Sequence, residues 1–479
     1  MMRELLKNNA GVLLGFLGLI VLTLISPKTL KILLLMNLLA IIFHLLGQFR
    51  LRSRIGRQSR KGKNSGSPNV SVHVPCYNEP PSLVIQTLKC IQQNDYPNFE
   101  IIVIDNNTRK THTWKPVSDY CERFSNIRFQ HFDQLGGFKA GALNEALKIT
   151  SEEADYIFVL DADYCVSRKA IRKAVNQAIL NKAQLVQFPQ AYRNVSGWNQ
   201  ALNEEYAHYF EVFSSGSNSD GNALATGTLT LMQRSALEKL GGWKSQSITE
   251  DASLGIAFRE AGFQTLFVNE QIGFGLMPTN TEDIRKQRVR WMFGNIQSLR
   301  ELLACRSLKL KDRLDCLLQL TAWINFLGIP ILSTLLVLTG FFFDDADLTA
   351  EVSALISLNM GVFLIGKFLL FHSIFKNGRA FMVHISFLLE GAFCWWKALF
   401  GAQKPFVRTN KFQRKQLLDW SFFLLPALLL LFSISQFLTS HTILAFSFLI
   451  YSILLLNAAL YLNEQMTPSK SLTLKLLKS

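Results

Sequence analysis

Long stretches with almost no charge stand at both ends of this chain, and they leave few folds open. Gly11 to Ser26 and Thr29 to Phe49 precede a polar middle and are separated only by Ser26-Pro27-Lys28. Cys316 to Phe343, Val352 to Phe375, Leu424 to Leu438 (extended upstream through Trp420) and Thr442 to Leu462 follow it. Each can cross a hydrocarbon core of about 30 Å as a helix. The first run lacks a small-residue cleavage site, and a second follows at once, so a helical hairpin anchor is expected rather than a signal peptide. Phe381 to Phe400 is also apolar but is interrupted by His384, Glu390 and Lys397.

Where the charge sits sets the topology. The chain carries +15 overall, yet only 18% of its residues are charged and 49% are hydrophobic. A soluble protein usually has about a quarter charged residues. Seven Lys/Arg lie between Arg50 and Lys63, and Lys404, Arg408, Lys411, Arg414 and Lys415 crowd a second loop. Asp344 to Glu351 holds four acids and no base. The positive-inside rule places the basic loops in the cytosol and the acidic loop outside. A spanning Phe381–Phe400 would put the second basic loop on the wrong side, so this stretch is read as interfacial. Six spans with both termini inside result. The expected location is a bacterial inner (plasma) membrane, or the Golgi in a eukaryote, with the polar middle in the cytosol. The basic excess then flanks the lipid bilayer, and nucleic acid is not an expected partner. Seven scattered cysteines without CxxC spacing read as reduced thiols and not as a zinc site.

The expected organisation is a hairpin anchor (1–50), a basic linker (51–66) and an α/β domain (67–294). An interfacial helix with a span (295–343), a span (352–375), an interfacial helix with a loop (380–416), two spans (417–463) and a tail (464–479) complete it. Within the α/β domain, Val70–Val74, Phe99–Asp105, Ala154–Asp163 and Ala183–Gln190 have strand patterns, with helical patterns at Ser82–Asn94 and Gly137–Ile149. Alternating strands and helices argue for a mostly parallel sheet covered on both faces. Ligands sit beyond the carboxyl ends of such strands, where Asp105, Asp161 and Asp163 fall.

Four motifs carry chemistry. Asp161-Ala162-Asp163 puts two carboxylates where they can share a cation with substrate phosphates, which suits Mg²⁺ or Mn²⁺. The glycine-flexible Leu135-Gly-Gly-Phe-Lys-Ala-Gly141 opens a helix and offers backbone N–H groups and Lys139 to a diphosphate. Thr249-Glu250-Asp251 supplies an acid pair beside a turn, with Asp251 the available general base. Gln287, Arg290 and Trp291 share one helical face, joining a phosphate clamp to a sugar-stacking platform. Each alone also has a structural reading: a solvated turn, a snorkelling lysine, a helix-terminal charge, an anchoring tryptophan.

In this order the motifs resemble the family 2 glycosyltransferases, specifically the membrane-embedded polysaccharide synthases of the cellulose, mannan and hyaluronan type. The resemblance runs from about Val70 to Lys411. It implies a GT-A-type cytosolic domain inserted into an α-helical transmembrane domain of about six spans plus interfacial helices. Val74-Pro-Cys-Tyr-Asn-Glu79 resembles the nucleotide loop, bringing Tyr77 and Glu79 to the donor, and Asp105 resembles the aspartate beside the uracil. Asp161 and Asp163 resemble the DxD pair, with Asp163 nearer the metal, and Lys139 and Arg290 would meet the diphosphate. Val186-Gln-Phe-Pro-Gln190 is similar to Q-T-P-Q, and Thr226-Gly227-Thr228 to the loop under the acceptor sugar. Asp251 of T-E-D matches the catalytic base, with Glu250, Gln287 and Trp291 toward the acceptor. Phe406-Val-Arg-Thr409-Asn-Lys411 is similar to a gating loop of the form F-x-V-T-x-K.

Three positions depart from the pattern: Asn106-Asn107 after Asp105, Phe188 for Thr, and Arg408 for Val. The implied activity is processive, inverting, metal-dependent transfer from a nucleotide sugar, UDP-glucose before GDP-mannose and UDP-N-acetylglucosamine, to a growing β-glycan exported through the membrane. Lys367 is read as facing that channel or snorkelling to the interface. With only Asn463 to Ser479 after the last run, a fused cyclic-dinucleotide sensor is not expected. The rivals are a non-processive transferase acting on a lipid such as ceramide, a mannan or glucomannan synthase, and a channel or scaffold with a degenerate transferase domain.

Overall fold

The computed structural model describes residues 17–22, 26–54, 62, 66–197, 199–244, 248–340, 346–400 and 419–465. The polar middle folds around a seven-stranded sheet of order β3-β2-β1-β4-β7-β6-β8. Its strands are β1 (Val70–Cys76), β2 (Phe99–Asn106), β3 (Ile127–Phe132), β4 (Tyr156–Val159), β6 (Leu185–Gln187), β7 (Thr230–Gln233) and β8 (Thr265–Phe267). β3, β2, β1 and β4 run parallel, β7 is antiparallel to both β4 and β6, and β8 is parallel to β6. A small second sheet pairs β5 (Cys165–Val166) with β9 (Gly273–Phe274). The expected Ala154–Asp163 strand is shorter, because its acidic end leaves the ladder to form a turn.

β2 is buried along Ile101–Asn106, as a parallel strand covered on both faces must be. Alternate residues face opposite layers. Val72, Val74, Val103 and Phe158 join a core with Leu88 and Ile91 of the helix Pro81–Gln92. Ile102 and Ile104 pack on Ala142 and Ala146 of the helix Phe138–Lys148. In β1–β2 register Cys76 faces Asp105, so both strands deliver their last residues to one edge.

Among the described residues four helices are long and apolar enough to cross a membrane: Lys28–Ser53, Ala346–Phe375, Trp420–Leu438 and Thr442–Glu464. Of the expected first span, Gly11–Ser26, only 17–22 and Ser26 lie within the described residues. The expected span Cys316–Phe343 is not one helix. It divides between Leu310–Leu320 and Gly328–Leu338, each only 11 residues long. Asn325 lies in the break: its Oδ1 accepts from Leu327 N at 3.1 Å and its Nδ2 donates to the Leu388 carbonyl at 2.9 Å. Phe381–Phe400 forms two short helices, Arg379–Ser386 and Leu388–Phe400, with a break at Phe387. Lys367, read as facing a channel or snorkelling, has a partner inside the helix packing. It is fully buried and donates to Gln48 Oε1 at 2.9 Å.

The cysteines also differ from expectation. Cys90 and Cys165 form a disulfide with Cα atoms 5.3 Å apart, while Cys76, Cys121, Cys305, Cys316 and Cys394 are buried and outside any disulfide. The separation of 75 positions hides this pairing from spacing alone.

Candidate active site

A cavity of about 280 Å³ opens beyond the carboxyl edge of the sheet. Tyr77, Glu79, Lys139, Asp161 and Asp163 line one side. Thr226, Gly227, Glu250, Asp251, Gln287, Arg290 and Trp291 line the other. Residues spread over more than 200 positions therefore meet around one hollow.

The glycine-rich loop is anchored by the two asparagines that follow Asp105. Asn106 Nδ2 donates to the Phe138 carbonyl at 2.7 Å. Asn107 Nδ2 donates to the Leu135 carbonyl at 2.9 Å, and Asn107 Oδ1 accepts from Leu135 N at 2.6 Å. Both asparagines line the cavity, but Asp105 does not. Asp105 accepts from Thr108 Oγ1 and bonds His131 Nδ1, each at 2.8 Å, and the His131 ring stacks on Trp114 at 4.3 Å. Burial pushes the Asp105 carboxyl up, against the opposing pull of the His131 and Thr108 hydrogen bonds.

Lys139 crosses the hollow. Its ammonium donates to Asp161 Oδ1 at 2.5 Å and to the Gly227 carbonyl at 2.6 Å, and lies 3.8 Å from Glu250 Oε1. Burial works against its charge, but Asp161, Glu250 and Asp251 outweigh that and hold the ammonium protonated above its ordinary range. Asp161 N donates to Thr228 Oγ1 at 3.0 Å, and Asp163 Oδ2 accepts from Leu276 N at 2.7 Å. Thr228 is thus buried under the cavity as a brace for the acidic turn and does not reach the wall.

Gln187 and Gln190 shape the loop opposite. Gln187 accepts from Thr226 N at 2.9 Å and Thr230 Oγ1 at 2.7 Å, and donates to the Thr228 carbonyl at 2.9 Å. Gln190 donates to the Thr226 carbonyl at 2.6 Å. Gly227 turns there with φ +85, a left-handed conformation that suits glycine. A Cβ at this position would meet Asp251 Oδ2 at 2.9 Å.

Glu250 and Asp251 open the helix Glu250–Glu260. Burial raises both carboxyls, with Lys139 opposing in each case. Neighbouring Asp251 adds to the rise of Glu250, which reaches about 7. On the helix Thr281–Ala304, Gln287 Oε1 accepts from Tyr206 OH at 2.6 Å. Burial depresses the Arg290 guanidinium, while Glu250, Asp161 and Asp251 sustain its charge. Arg288, two positions away, points elsewhere. It is buried against Glu205 at 2.7 Å and over the Trp323 ring at 4.2 Å, and His384 bonds the same Glu205 at 3.0 Å.

A second, smaller cavity of about 70 Å³ adjoins the first, and both are bordered by Thr226, Asp251 and Trp291. Tyr206, Tyr209 and Trp323 supply its aromatic wall. Sequence reading missed these three. The i, i+3 spacing of Tyr206 and Tyr209 was a usable signal, whereas Trp323 lay hidden inside an apolar run. Phe406, Thr409 and Lys411 lie outside the described residues.

Among the described residues no three His, Cys, Asp or Glu side chains form a self-sufficient metal cluster. A cation that takes one or two carboxylates plus substrate phosphates needs no such cluster. Asp161 and Asp163, together on one cavity wall, fit that donor set.

A model of the glycosyltransferase-like family 2 matches residues 68–294. The catalytic subunit of a UDP-forming cellulose synthase from Xanthomonas axonopodis pv. citri is 28% identical over 279 residues, 55% of this chain and 36% of that protein. Glucomannan 4-beta-mannosyltransferase 7 of Arabidopsis thaliana is 28% identical over 246 residues, 49% of this chain and 44% of that protein. The chain spans less than half the length of these curated relatives. A mannosyltransferase from Pyrobaculum calidifontis, solved with GDP-Man and Mn²⁺, shares the fold at TM-score 0.51 and 18% identity, over 78% of this chain and 99% of that one. Residues 68–294 thus resemble a glycosyltransferase family 2 domain, and the curated proteins similar to the chain include cellulose synthase catalytic subunits and a glucomannan mannosyltransferase.

Proposed function

We propose that this chain is a multi-pass membrane glycosyltransferase that polymerises sugar from a nucleotide donor into a β-glycan and passes the product across the bilayer. The observation that carries this reading is the place of Asp251, in the seam between a cavity rich in charge and one walled by aromatic rings. The first suits a nucleotide diphosphate, and the second suits the flat apolar face of a sugar.

In this reading Tyr77 and Glu79 border the nucleotide, and Lys139 and Arg290 face its diphosphate. A divalent cation such as Mg²⁺ or Mn²⁺, held by Asp163 with Asp161, would neutralise charge on that diphosphate. The acceptor sugar rests on Trp291, with Gln287, Glu250 and the Thr226-Gly227 turn around it. Asp251 takes the proton from the acceptor hydroxyl as its oxygen attacks the anomeric carbon. The bond to the diphosphate oxygen breaks on the opposite face, so configuration inverts without a covalent sugar intermediate. Lys139 and Arg290 stabilise the charge left on the departing diphosphate.

UDP-glucose is the favoured donor, from the UDP-forming relatives, and GDP-mannose is second, from the glucomannan relative and the structural neighbour's ligand. The apolar helices, with the basic residues at their ends, support a bilayer setting with the catalytic domain in the cytosol. Membranes containing the chain, given each labelled donor with Mg²⁺ or Mn²⁺, should form high-molecular-weight product digestible by β-linkage-specific hydrolases. A single glycolipid band would replace polymerisation by the lipid-acceptor reading, and no nucleotide release from any donor would end the transferase reading.

A further inference from the structure

The acidic turn is fastened from behind by one helix. Thr87 Oγ1 of the helix Pro81–Gln92 donates to the carbonyl of Ala162, the residue between Asp161 and Asp163, at 2.8 Å. One turn further along, Cys90 is bonded to Cys165, two residues past Asp163. Cys165 also begins β5, whose partner β9 leads into Leu276, the backbone donor to Asp163 Oδ2. Leu83 of the same helix lines the large cavity. The disulfide is therefore the covalent half of a clamp on the two carboxylates.

Cys90 and Cys165 are also the least buried of the seven cysteines. Both are half-buried, whereas the other five cysteines are buried and outside any disulfide. In the cytosol a disulfide is an exception, formed reversibly and commonly for redox sensing.

The geometry points to Cys90–Cys165 as a thiol–disulfide exchange site, taking a dithiol reductant, through which redox state sets the cation affinity of the acidic turn. The inference rests on the cytosolic placement and on Asp161 and Asp163 as cation ligands, both proposed above. One thiolate of the reductant attacks a sulfur of the pair, forming a mixed disulfide and releasing the other cysteine. The second reductant thiol then displaces the remaining cysteine. Two electrons and two protons pass to the protein, and the reductant leaves as its own disulfide. Thr87 is then this helix's one remaining bond described to the turn. Partners behind a metal ligand are typically worth about 10- to 100-fold in affinity, so about 10-fold weaker cation binding is expected on reduction.

The test uses the full chain in membranes or nanodiscs, titrated with dithiothreitol and with Mn²⁺ alone. Native-state maleimide labelling should gain two thiols on reduction, lost again on reoxidation. The Mn²⁺ concentration giving half-maximal rise in melting temperature should increase about 10-fold, and the half-saturating Mn²⁺ for nucleotide release should move with it. Cys90→Ser should sit at the reduced level under both conditions. An unchanged thiol count, or identical Mn²⁺ titrations in the two states, would overturn the proposal. If nucleotide release is absent in both states, the transferase reading fails on its own, and the melting-temperature titration still decides this one.

Discussion

The Lys139 ammonium lies 2.5 Å from Asp161 Oδ1, joining the glycine-rich loop to the acidic turn across the cavity. A lysine with its charge upheld by three carboxylates cannot be replaced by a neutral side chain without leaving Asp161 unpaired. Lys139→Gln is expected to lower kcat/KM for the donor at least about 10-fold, since hydrogen bonds to charged groups are worth about 1.5–3 kcal/mol. Steady-state nucleotide release measures it, and wild-type kinetics would detach Lys139 from the donor.

Asp251→Asn keeps the shape of the seam and removes the proton acceptor. Turnover should fall by about 10²- to 10⁴-fold, the usual worth of a general base, while donor affinity by calorimetry stays near wild type. Full glycan synthesis by this variant would require another base.

Gly227→Ala places a methyl 2.9 Å from Asp251 Oδ2 and 3.4 Å from Lys139 Nζ, at a φ that alanine resists. Backbone strain of roughly 1 kcal/mol or more should accompany a loss of activity exceeding 10-fold. A fully active, equally stable alanine variant would show that the loop is not fitted to these two side chains.

Glu250 gives stability a definite pH slope. Burial lifts it from 4.5 to about 7. Between those values the unfolded chain has released this proton while the folded chain keeps it. Stability contributed by this group therefore falls as pH rises through that window. Glu250→Gln should show a smaller loss of melting temperature between pH 5 and pH 7.5 than wild type. Equal slopes would mean that Glu250 titrates normally in the folded protein.

The two arginines of Gln287-Arg-Val-Arg-Trp291 should separate cleanly. Arg288→Met abandons buried Glu205 and is expected to cost about 3–5 kcal/mol, as breaking a buried pair does, read as a large fall in melting temperature. Arg290→Lys should leave melting nearly unchanged and reduce donor turnover. The reverse pattern would exchange their roles.

Much of this was legible along the chain. β2 appears where its β-rich run stands, since a parallel strand buried on both faces reads as a nearly continuous apolar run, and β1 appears too, although Ser71 and His73 make one of its faces polar. Gln287, Arg290 and Trp291 share a wall because helical spacing puts i, i+3 and i+4 together. Asp105 shows the limit: the sequence puts it at the right strand end, but Thr108 and His131 take its oxygens and turn it off the cavity. The run Cys316–Phe343 shows another, because hydropathy averages over Asn325, whose side chain accepts from Leu327 N in the break and donates to the Leu388 carbonyl 63 residues away.

Local chemistry, then, determined which segments are apolar, which strands end in acid and which helix carries the arginine and tryptophan. Those properties depend on residues a few positions apart. Only the tertiary structure decided that Asp251 lies between two cavities, that Asn106 and Asn107 anchor a loop, and that Cys90 meets Cys165. Each of these joins positions tens to hundreds of residues apart, and only packing of the whole sheet and its helices brings them within bonding distance.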